Sequence, residues 1–170
     1  IFFADHWLAY SPSIINLRDL LARTHEVTVL ALELVLGGKP AAPRLERPGV
    51  KYLRFPNIPR SAWRALDYLD AVLRRLYRPV LFRRWVQLSL LAWHGRKLEA
   101  ELAIGVDLAG FWAARLCFGH AHLFSLELSK NELLYELVLR SPARIDSVLI
   151  QSEARFRYFF PQGERRRFLV

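Results

Sequence analysis

The chain has 170 residues, 53% of them hydrophobic, which excludes a disordered polymer and suffices for one domain with a sizeable core or for one half of a larger enzyme. Its 25 Lys and Arg against 16 Asp and Glu leave a net charge of +9, which implies an anionic partner such as nucleic acid, a phosphorylated substrate or an acidic membrane surface. One cysteine rules out an internal disulfide and fits a reducing compartment, and no apolar run reaches the roughly 20 residues that span a membrane.

Ile1-Phe2-Phe3-Ala4 is an all-apolar run of the kind buried in a parallel sheet, so the opening reads as a strand and not as a signal peptide. The chain has no methionine, an initiator included, and reads as a fragment of a longer protein. Asp5-His6-Trp7 follow the first strand, and Ser11-Pro12-Ser13 predicts a helix start with Ser13 as N-cap. Ile14, Leu17 and Leu21 carry that helix through Arg23, with Ile15 and Leu20 beside them. Glu26 to Leu32 is rich in β-branched residues and reads as the second strand. Gly37 to Pro48 is a loop, and Val50 to Phe55 alternates like a more exposed strand.

Two helices follow. Ser61 to Tyr77 has Leu66, Leu69, Leu73 and Leu76 on one face, and Val80 to Glu101 contains Gly95 as a weak point. The pair carries Arg64, Arg74, Arg75, Arg78, Arg83 and Arg84 among tryptophans and tyrosines. It reads either as a surface for an anionic membrane interface or as a soluble helical insertion with its arginines in water. No nucleic-acid module is visible.

Ile104 to Leu128 is the centre of the pattern. Ala103 to Val106 forms a strand ending on Asp107, Leu108 to Phe118 an apolar helix closed by Gly119, and His122 to Leu126 a second strand ending at Glu127. Ser129-Lys130-Asn131-Glu132 is a capping-box start for a helix ending before Pro142. Asp146 to Ile150 predicts a strand, Gln151 to Phe160 a turn and helix, and Arg167 to Val170 one strand more. Strands alternating with helices throughout predict a single α/β domain over residues 1–170, with a doubly wound, mainly parallel sheet and helices on both faces.

In such sheets functional groups gather beyond the carboxyl ends of the strands. His6, Ser11, Ser13, Asp107, Ser125 and Glu127 fall there by position. A carboxylate just past a buried strand can hold a sugar hydroxyl or act as a base, while Asp107 can equally be a plain N-cap. GxGxxG and GxxxxGK[ST] are both missing, which argues against an NAD dehydrogenase and an NTPase, and GxSxG is missing too. His120-x-His122 lacks a third ligand, so no metal and no cofactor is expected. Cys117 sits on the apolar helix and reads as a small core residue.

The blocks FFADHW, SPSIINLRDLLARTHEVTVLALE, GVKYLRFP, IGVDLAGFWAARL, FSLEL and VLIQSEARFRYFF, in this order, resemble the N-terminal domain of a retaining GT-B glycosyltransferase of the bacterial family 4 group. The resemblance implies a Rossmann-like domain that binds the acceptor, a carbohydrate or lipid-linked molecule. It further implies a second domain after RRRFLV that binds the nucleotide sugar, and a cytoplasmic enzyme resting on the inner face of the membrane through its basic helices. Two departures stand out. The first loop reads SPSII where the family carries glycines, and Glu127 stands near the family's histidine, which makes Glu127 the catalytic candidate. The reading from another class is a non-catalytic α/β module docking on an anionic membrane or polymer.

Overall fold

The structure is a computed structural model in which residues 1–3, 12–31, 50–54, 60–76, 82–126, 140, 145–161 and 168–169 are described. In chain order the elements are β1 (Phe2–Phe3), α1 (Pro12–Leu21), β2 (Val27–Ala31), β3 (Val50–Arg54), α2 (Arg60–Leu76), α3 (Phe82–Gly95) and β4 (Ile104–Val106). They continue with α4 (Asp107–Phe118), β5 (His122–Ser125), β6 (Val148–Ile150), α5 (Glu153–Phe159) and β7 (Phe168–Leu169). Among the described residues seven strands form one sheet in the order β3-β2-β1-β4-β5-β6-β7. Every pair is parallel. The order runs outward one way from β1 and the other way from β4, so the reversal falls between these two strands.

The period of two along each strand divides the core. Val27, Val29 and Ala31 pack with Ile14 and Val106, alongside the half-buried Ile15 and Leu21 of α1. Leu30 points the other way and joins Phe2, Leu123, Val148 and the buried residues of α3, α4 and α5. The strand register agrees, because Phe2 is in register with both Leu30 and Gly105, and Gly105 with Leu123.

Helix α4 packs over β4, β5 and β1 and against α3. It approaches the sheet through backbone. A Cβ on Gly105 would land on the Cα and amide nitrogen of Phe111, and one on Gly110 on the carbonyl oxygen of Phe2. Phe111 is fully buried there, edge-on to Trp112. The helix ends as its sequence implies. Gly119 takes the left-handed conformation (φ 74°), and its N–H donates to the Arg115 carbonyl at 2.9 Å.

Several expectations are corrected. Helix α1 begins at Pro12, whose fixed φ suits the first helical position, so Ser13 lies inside the first turn and is not the N-cap. Leu20 is exposed, and the buried face of α1 includes Arg18, paired with Asp19. Helix α3 stops at Gly95 and not at Glu101. A side chain at Gly95 would meet the Phe2 ring and, at 2.7 Å, the Cys117 sulfur, and beyond it the chain turns with Lys97 N–H on the His94 carbonyl. On α2 the inward positions are Leu66, Asp70 and Leu73, while Leu69 is exposed. Asp70 is buried because its carboxylate accepts the N–H of Phe82, the first residue of α3, which leaves that orphan donor satisfied. The helix expected over Ser129 to Arg140 falls almost wholly outside the described residues.

Candidate site at the carboxyl rim

All paired strands point the same way, so their carboxyl ends share one rim. Val106 is in register with Phe124, which sets the next residues, Asp107 and Ser125, side by side where β4 and β5 end. Ser125 is in turn in register with Ile150.

Asp107 is not an N-cap. The cap position is Val106, with no side-chain cap bond, and Asp107 is the first helical residue, at φ 51°. Asp tolerates this left-handed region better than most non-glycine residues. The turn frees its carboxylate for the neighbouring strand, where Oδ1 accepts the Leu126 N–H at 2.7 Å. The ladder explains why this donor needs a partner. His122 N–H donates to the Ala103 carbonyl, and two steps of two residues place Leu126 N–H opposite the main-chain carbonyl of residue 107. By then β4 has become α4, so the Asp107 side chain accepts where its carbonyl would have done.

Ser125 is fully buried, and among the described residues its Oγ has no hydrogen-bond partner. A buried hydroxyl without a partner is costly. It presents no surface to a ligand in this conformation. The carbonyl of Leu126 is held from the other side by Arg155, whose Nη2 donates to it at 2.7 Å while Nη1 donates to Gln151 Oε1 at 2.7 Å. The guanidinium carbon lies 5.8 Å from the Phe159 ring centre, and Nε is buried without a partner among the described residues. Ser152 caps α5 by accepting the Arg155 N–H, which fixes the backbone from which this side chain reaches.

The structure thus brings Asp107 and Ser125 together and adds Arg155, which the sequence reading missed. Its contact lies 29 residues away, and the one signal that could have found it is a helix start after a strand, at Ser152-x-x-Arg155. Ser13 is exposed on α1. His6, Ser11, Glu127 and Arg78 lie outside the described residues. Arg64 is exposed on α2; Arg74 and Arg75 fall in α2 and Arg83 and Arg84 in α3, with side chains outside the description.

No protein-family model matches the chain, and no curated protein or solved structure matches it significantly. Geometry alone therefore assigns residues to the rim.

A cavity of about 540 Å³ opens at the opposite rim, by the amino ends of β1, β2 and β4, and is lined among others by His25, Glu26, Glu99, Glu101 and Phe118. Ligands of open parallel sheets sit beyond the carboxyl ends, so the Asp107 rim is the better candidate. Near the amino ends His122 Nδ1 and Ser147 Oγ are 2.6 Å apart. Among the described residues no group of three His, Cys, Asp or Glu could hold a metal ion. Cys117 donates to the Ala92 carbonyl at 3.4 Å; burial pushes its thiol up and Arg96 opposes this, which fits a packed thiol better than a nucleophile.

Proposed function

We propose that the chain is the acceptor-side half of a nucleotide-sugar-dependent glycosyltransferase of the GT-B type, with a doubly wound, Rossmann-like sheet. The observation that carries this reading is the reversal of strand order between β1 and β4, with Asp107 and Ser125 in adjacent register at the carboxyl rim. The acceptor, a glycan or a lipid-linked or other cell-envelope molecule, lies along that rim. The donor's nucleotide and leaving diphosphate are held by a second domain, and transfer retains configuration. Glu127, two residues past β5 in sequence, polarises the acceptor hydroxyl, with His6, Ser11 and Ser13 as further acceptor-binding residues; no metal or cofactor takes part.

The test uses the complete protein with a panel of radiolabelled nucleotide sugars. Glu127→Ala is expected to lower turnover by about 10²-fold or more while circular dichroism stays parental. Parental turnover in that variant removes Glu127 from the site, and a complete protein that transfers from no donor removes the enzyme.

A second observation favours a membrane contact, whether the domain is catalytic or a binding module only. Tyr68, Leu69 and Val72 are exposed on α2 together with Arg64, and Trp93 is exposed on α3. Apolar and cationic groups on one surface helix, in a chain of net charge +9, suit an anionic bilayer face at the cytoplasmic side. Among the described residues no helix is long and apolar enough to cross a membrane. Sedimentation with vesicles should give binding to anionic lipid that weakens with salt. Equal binding to neutral vesicles, or none to either, rejects the contact.

A further inference from the structure

We infer that Arg155 is a positioning residue that, together with Asp107, sets the direction in which the chain leaves β5 at the carboxyl rim. Leu126 is the first residue past β5, and both of its main-chain polar groups are occupied from opposite sides: the N–H by the Asp107 carboxylate, the carbonyl by the Arg155 guanidinium. The two peptide planes flanking Leu126 are therefore each tied to a different packed element. Asp107 opens α4, whose Phe111, Ala113 and Ala114 are buried in the main core, and Arg155 rides on α5, whose Phe156 and Phe159 are buried in the same core. A strap between two rigid elements holds its target better than one anchored in a loop.

The chemistry asks for arginine here. One planar fork reaches the Leu126 carbonyl and Gln151 Oε1 at once, and both acceptors are neutral, so the side chain acts as an organiser and not as half of a salt bridge. A lysine has a single charged nitrogen at the end of a flexible stem and spans the two acceptors poorly. The significance of the strap for catalysis rests on the proposed function, since Glu127 is the residue that follows; the strap itself does not.

The experiment therefore has two arms. In the first, amide hydrogen exchange is followed residue by residue in the complete protein carrying Arg155→Ala or Arg155→Lys. Exchange at Leu126 is expected to quicken about tenfold in the alanine variant and less in the lysine variant, with Leu123 and Ile150 unchanged. Unchanged exchange at Leu126, or an equal rise across the whole sheet, overturns the proposal, and if alanine prevents folding the lysine variant alone decides. In the second arm, Arg155→Lys is expected to lower kcat about tenfold or more with KM for donor and acceptor near parental. A localised rise in exchange with no transfer by the parent protein rejects the glycosyltransferase and leaves the strap standing; a localised rise with parental kcat rejects a positioning role in catalysis.

Discussion

Gly105→Ala is expected to leave the chain without a cooperative fold, or to destabilise it by more than about 4 kcal/mol, a size reached by few single substitutions. Overfilling a core by one methyl group ordinarily costs about 1–3 kcal/mol, because neighbouring side chains rotate aside. No such relief exists here. The added Cβ meets the Cα and nitrogen of Phe111 and the carbonyl carbon of Gly110, all main chain of α4. The helix must lift off β4 as a unit, which loosens Leu108, Phe111 and Ala114 at once. Gly110→Ala is expected to act the same way through the Phe2 carbonyl. Gly119→Ala supplies the contrast: nothing lies within 4 Å of its Cβ, so only the left-handed backbone is penalised, at about 1–2 kcal/mol. Thermal melts followed by near-ultraviolet circular dichroism separate the three. A Gly105→Ala protein melting within a few degrees of the parent would mean that α4 does not lie this close to the sheet.

The same residues show what the sequence could disclose and what it could not. The run Ile104–Val106, the apolar helix behind it and Gly119 as its end were legible because each is a local signal: a short apolar stretch, a helix apolar nearly all round, a glycine at its stop. Parallel pairing followed from alternation of strands and helices. The reason for Gly105 and Gly110 was not legible, since a glycine required by a neighbouring backbone looks the same as one required by nothing. Asp70 broke the expected apolar face of α2 because its partner, the Phe82 N–H, is 12 residues away. Asp107 and Ser125 were found at the rim by counting strand ends. Their roles were not found, because a carboxylate that bridges to the next strand and a hydroxyl that is sealed without a partner are facts of register.

Asp107→Ala is expected to destabilise the domain by about 2.5–5 kcal/mol, the sum of two separable losses. Alanine at φ 51° carries a left-handed penalty of about 1–2 kcal/mol, and removing the carboxylate takes away a hydrogen bond to a charged acceptor worth about 1.5–3 kcal/mol. Two further substitutions divide the sum. Asp107→Gly is free of the backbone penalty but still strands the Leu126 N–H, so it should fall between alanine and the parent. Asp107→Asn keeps an acceptor oxygen and tolerates the left-handed region, so it should lie nearest the parent. Urea midpoints give the order, Asn above Gly above Ala. Equal values for Gly and Ala would mean that the backbone is not held at positive φ, and an Asn variant as weak as Ala would mean that charge, not the acceptor oxygen, holds Leu126. The series also bears on chemistry. A carboxylate engaged with a main-chain amide is an organiser of the rim, so Asp107→Asn in the complete protein should retain most of its turnover, whereas a base at this position would lose about 10²-fold or more in the same substitution.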